Sequence, residues 1–153
     1  MPKLFRMTKG GKLEEGIFRG ETINTPSMLC VADYLDALAW LRSIGGTPGA
    51  IEKSKATLRV LQDFVGANDW IQFLAQDLAT LSNTSVCFTM KATPEQVKSM
   101  VKLLDIEGVA SDIGAYRDAP PGIRIWCGAT VETADVEALL PWLTWAYQKA
   151  TTA

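Results

Sequence analysis

Histidine is absent from this 153-residue chain. Its absence removes every imidazole-based triad, the usual general base near neutral pH and nearly every ordinary zinc site. Cysteine is scarce. Cys30, Cys87 and Cys127 are odd in number, form no C-x-x-C pair and lie among apolar residues, so they read as buried free thiols of a reducing cytoplasm. No basic excess exists either: 15 Lys and Arg stand against 17 Asp and Glu, a net charge of −2, which argues against nucleic acid as a partner. No run approaches the roughly 18 apolar residues that a membrane span needs, and the opening MPKLFRMTKGGK has no signal-peptide core. Neither export nor membrane insertion is therefore expected. Any chemistry must rest on carboxylates, arginines, hydroxyls or a borrowed cofactor.

What is present begins with residues 114–124, GAYRDAPPGIR, where Arg117 and Arg124 flank Pro120, Pro121 and Gly122. Two guanidiniums beside a stiff, proline-set turn suit a small ligand with two anionic ends. The planar fork of arginine binds carboxylate or phosphate through parallel hydrogen bonds, which lysine cannot do. Spacing alone is equally compatible with two solvated loop charges.

With 48% hydrophobic and 21% charged residues, the chain has enough apolar material for one globular domain with a core. Residues 1–25, rich in glycine and charge, carry no apolar period and read as an extended or irregular arm. Pro26 opens a helix to about Ile44, capped by Asn24 or Thr25 and stopped by Gly45-Gly46. Its apolar residues (Met28, Leu29, Val31, Leu35, Leu38 and Leu41) occupy several sides, which predicts burial between other elements. A second, amphipathic helix starts at Thr47-Pro48. Residues 70–74 and 85–90 read as strands. Thr93-Pro94-Glu95-Gln96 is a capping-box start for a helix to about Glu107. Short strands are expected at 109–113 and 122–127, and a last helix from Thr133 with a kink at Pro141. Five tryptophans, Trp40, Trp70, Trp126, Trp142 and Trp145, read mainly as packing residues, with Trp126 set apart by its closeness to Arg124. Glu132 and Glu137 suit a helix N-terminus without any chemistry. The pattern predicts an α+β two-layer sandwich: a small, mostly antiparallel sheet covered by helices, with an extended N-terminal arm.

Four stretches together carry a resemblance: GETINTPSM at 20–28, IGG at 44–46, SNTSVCF at 82–88 and GAYRDAPPGIRIWCGATVE at 114–132. Over essentially its whole length the chain resembles the C-terminal small domain of phosphoserine aminotransferase, a class V, fold-type I enzyme family that uses pyridoxal 5'-phosphate (PLP). Two departures stand out: Tyr116 replaces the histidine of the commoner pattern, and one extra residue separates the two arginines.

The resemblance implies an enzyme of serine biosynthesis, cytoplasmic and homodimeric, that converts 3-phosphohydroxypyruvate and glutamate to O-phosphoserine and 2-oxoglutarate. It implies that residues 1–25 form a cross-subunit arm and 26–153 the small domain. Arg124 would hold the substrate α-carboxylate, Arg117 the substrate phosphate, and Asn24 and Thr25 the PLP phosphate of the neighbouring subunit. By the same resemblance, the lysine that holds PLP would lie in a large domain on another stretch of protein, and neither Lys9 nor Lys12 matches its motif. Asp112 and Asp118 read as loop residues rather than cofactor partners. The chain alone would then be inactive, with apolar surface exposed where the large domain packs. Two alternatives stay open: a class V aminotransferase for a non-phosphorylated acid, and a non-catalytic module that binds a small anionic metabolite.

Overall fold

The computed structural model describes residues 6–22 and 24–152. They fall into two compact units divided between Ile44 and Gly45. The expected arm begins with residues 1–5, which lie outside the described residues.

In the first unit, strands β1 (Thr8–Lys9) and β2 (Lys12–Leu13) make a minimal antiparallel hairpin. Gly10 and Gly11 close it with φ of 59° and 77°, the left-handed pair that a two-residue hairpin turn demands. A 3₁₀ turn over Glu15–Arg19 follows. Helix α1 (Met28–Ser43) is capped by the Ser27 side chain, which accepts from the Cys30 amide at 3.4 Å. The cap is thus Ser27 rather than Asn24 or Thr25, because Pro26 holds the chain extended until Ser27. The expectation that α1 is buried fails. None of its residues is buried, and Met28 is 78% exposed. Apolar residues on every side call for a cover on every side, and the two-residue strands of the same unit are too small to give one.

The second unit holds the core. Helix α2 (Gly46–Ala67) leads into β3 (Ile71–Phe73), then β4 (Ser85–Met90), α3 (Pro94–Ile106), β5 (Gly122–Trp126) and α4 (Thr133–Thr152). The sheet has the order β3-β4-β5 and is antiparallel throughout, with Phe73 opposite Phe88, Val86 opposite Ile125 and Cys87 opposite Arg124. This is the expected α+β arrangement. One face of the sheet presents Ile71, Val86, Phe88, Ile123 and Ile125 to Leu61 of α2, Met100 and Leu104 of α3, and Leu143 of α4. The alternation of side chains along a strand then sends Gln72, Cys87, Arg124 and Trp126 to the opposite face.

Local signals explain most boundaries. The Thr93–Gln96 capping box forms reciprocally at 3.3 and 2.9 Å. At the other end of α3, Gly108 (φ 68°) lets its own amide and that of Val109 return to Asp105 and Leu104 at 3.0 and 2.9 Å. That closure accounts for the missing strand at 109–113. The amides of Val109 and Ala110 both point to the Leu104 carbonyl, so they cannot join a ladder. Around the core, Trp70 stacks on Tyr147 with ring centroids 4.1 Å apart, as a packing tryptophan should. Glu132 pairs with Lys53 at 2.8 Å, and the Thr57 and Thr133 hydroxyls meet at 2.9 Å, so α2 is tied to the start of α4. Helix α4 continues through Pro141 to Thr152.

Cys127 is fully buried just after β5, and burial pushes its thiol from 9.0 up to about 12. The folded chain therefore keeps a proton that the unfolded chain releases near 9.0, so this residue's contribution to stability declines as pH rises from about 9 towards 12. Urea unfolding should show a smaller alkaline drop in midpoint for Cys127→Ala than for the parent chain. Equal drops would contradict the assignment.

Candidate functional site

The segment between α3 and β5 builds the site. Ile113 is buried, and its carbonyl accepts from the Arg124 amide at 2.9 Å, while Gly114 bridges Ile123. These contacts lay residues 112–116 along the outer side of β5. The tight turn is not made by the prolines. It spans Tyr116 to Ala119, closed by the Ala119 amide on the Tyr116 carbonyl at 3.0 Å. Pro120 and Pro121 carry no amide hydrogen and deliver the chain, already extended, into β5. Gly122 must be glycine, because a Cβ there would run into the main-chain carbonyl of Phe88 on β4.

Arg124 follows two residues later. With Ile123 and Ile125 turned into the core, its side chain leaves from the other face and is 23% exposed. Its Nη2 donates to Asp112 Oδ2 at 2.6 Å. The Tyr116 ring lies against the guanidinium, 4.8 Å from Cζ to the ring centroid. The hydrogen bond that Arg124 donates to Asp112 raises the pKa of Arg124, which is charged at any physiological pH. Nε is buried and has no hydrogen-bond partner among the described residues. A buried donor left unpaired costs free energy and invites an acceptor. Asp112 itself is 85% exposed. Trp126, 56% exposed, lays its indole against Gly128.

Arg117 sits elsewhere. It is exposed in the turn and lines a groove of about 610 Å³ between α3 and the 111–122 segment, together with Lys98 and Lys102. Arg124 does not line that groove. Asn24 and Thr25 are exposed residues of the first unit, just ahead of α1. Lys9 and Lys12 face each other across the exposed tip of the hairpin. Sequence reasoning missed both neighbours of Arg124. The sequence marks Asp112 only as a loop charge and Tyr116 only as a departure from a pattern. The signal that could have found them is the buried Ile113 between them, which pins that stretch to β5.

No family model matches the chain. It is, however, 52% identical over 147 residues to the phosphoserine aminotransferase of Methanosarcina mazei, and equally so to that of Methanosarcina barkeri. Those matches cover 96% of this chain. Over nearly its whole length, then, this chain is similar to phosphoserine aminotransferase. It spans about 40% of the length of these curated relatives. The fold agrees: a phosphoserine aminotransferase from Bacillus circulans subsp. alkalophilus superposes with a TM-score of 0.77 at 19% identity, over 87% of this chain and 36% of that one. A second structure, of radiation damage of the Schiff base in phosphoserine aminotransferase, gives 0.76 at 15% identity over 90% of this chain and 38% of that one. No helix among the described residues is long and apolar enough to cross a membrane.

Gly122→Ala should destabilise this chain by about 1–3 kcal/mol, because neither backbone can yield without breaking the β4–β5 ladder. Gly66→Ala, late in α2 with nothing within 4 Å of the added methyl, should instead stabilise it by about 0.5–1 kcal/mol. Paired urea titrations check both signs.

Proposed function

We propose that this chain supplies the substrate-gripping small domain of a cytoplasmic, homodimeric phosphoserine aminotransferase acting on 3-phosphohydroxypyruvate and glutamate. The observation that carries this reading is Arg124: a fixed guanidinium on the sheet face turned away from the core, with a buried Nε that has no acceptor among the described residues. A substrate carboxylate supplies such an acceptor, and arginine binds it in one orientation. Tyr116 keeps the guanidinium plane fixed, so less freedom is lost when the substrate arrives.

PLP belongs to the enzyme family named by the relatives and, when bound, carries the amino group between the two acids. The donor chemistry of the described residues fits a role at its phosphate. Asn24 and Thr25 are exposed and offer an amide and a hydroxyl to a neighbouring subunit. The group that holds PLP covalently belongs, in this reading, to the part of the relatives that this chain does not span. The exposed apolar residues of α1, including Met28, Leu29 and Leu35, would pack against that part.

One observation favours a second reading. Arg117 lines the α3 groove with Lys98 and Lys102, apart from the surroundings of Arg124. If Arg117 takes no part in substrate binding, the enzyme is a class V aminotransferase for a non-phosphorylated acid.

A chimera in which this chain replaces the 147 matched residues of the Methanosarcina mazei enzyme tests both. Arg124→Lys should raise the KM for glutamate and for phosphohydroxypyruvate about tenfold or more, since a charge-assisted pair is lost from each. Unchanged KM values would remove Arg124 from the clamp. Arg117→Glu should penalise phosphohydroxypyruvate far more than a non-phosphorylated oxo acid, and an equal effect on both favours the second reading. The chain alone, given PLP and both substrates, should show no turnover.

A further inference from the structure

Arg124 is not waiting empty-handed for a ligand: a carboxylate of its own chain already holds it. The contact is short, 2.6 Å from Nη2 to Asp112 Oδ2, yet it engages only that nitrogen, while Nε stays buried and unpartnered among the described residues. The partners are unequal. Arg124 is largely enclosed at 23% exposure and carried on β5, whereas the Asp112 side chain is 85% exposed. The backbone beneath Asp112 is fixed, because Ile113 is buried and bound to the Arg124 amide. The carboxylate is therefore held beside the guanidinium, yet it can rotate into water at little cost.

We propose that Asp112 is a tethered competitor that sets the anion selectivity of Arg124. Every anion that reaches the guanidinium displaces or shares with the Asp112 carboxylate, which is presented at the high effective concentration of an intramolecular group. A carboxylate with two oxygens gains the orphan Nε as well as Nη2, and so makes up for the displaced contact. A monatomic anion such as chloride gains one position only and loses the contest. Asp112 acts through Arg124 and touches no reacting atom. It selects the kind of anion admitted and weakens binding of all anions in doing so. This inference rests on Arg124 being the carboxylate-binding residue.

The test uses the chain itself, labelled with ¹⁵N-arginine, with the Arg124 Nε–H resonance assigned by its disappearance in Arg124→Lys. Glutamate and chloride are titrated separately while this resonance is followed. Asp112→Asn keeps the size and an acceptor oxygen but removes the competing charge. It should tighten glutamate about two- to five-fold, and chloride by a larger factor, narrowing the selectivity between them. Asp112→Glu should restore the parent preference. If Asp112 merely props the guanidinium in place, Asp112→Asn leaves both affinities unchanged or weakens them, and the inference is overturned. If glutamate moves the Arg124 resonance in no variant, the reading of Arg124 itself falls. If it does so in the parent chain while Asp112→Asn brings no tightening, only the role of Asp112 falls.

Discussion

The pairing of β5 with β4 is the constraint on which the rest depends. It demands that two main chains approach so closely at Gly122 and Phe88 that no side chain fits between them. Once the register is set, Ile123 and Ile125 complete the core against α2, α3 and α4. The same register leaves Arg124 no choice of face. Core formation and presentation of the guanidinium are consequently one event, because the side-chain period of a strand is two and a slip of one residue would bury the charge. The apolar neighbours of Arg124 thus orient it as firmly as any polar contact.

The electrostatics follow from that placement. A cation on a sheet face between two core residues has few neighbours from its own strand. Its partners come from the irregular segment that lies along β5: Asp112 at one nitrogen and the Tyr116 ring against the plane. Both flank Ile113, whose burial fixes them, so the polar site is assembled by an apolar anchor. Arg117, at the tip of the Tyr116–Ala119 turn, has no such anchor and sits beside the lysines of α3. Two arginines seven positions apart in sequence therefore lie in different surroundings.

The sequence made visible what is governed locally. The Thr93–Gln96 capping box, the alternation of Val86 and Phe88 in β4, and the glycine stop of α3 depend on residues within a few positions of one another. The α+β class followed from them. The misses share a cause in contacts that local patterning does not encode. A strand at 109–113 is apolar enough on paper, but its first two amides, those of Val109 and Ala110, are consumed in closing α3. Helix α1 shows that all-round apolarity signals a need for cover without naming its source. At the site, Arg124 stood out by residue type, whereas Asp112 and Tyr116 acquired meaning only once Ile113 and Gly114 were seen alongside β5.

Because the sheet has the order β3-β4-β5, β5 is a border strand, and its outer amides and carbonyls would be open to a stranger's backbone. The Ile113–Gly114 stretch occupies that border, and the two prolines ahead of Gly122 offer no donors to extend it. The segment that dresses the arginine is thus also a guard against intermolecular strand addition. Any change that loosens this loop to alter ligand preference would uncover a sticky seam, so solubility and recognition are bound to vary together here.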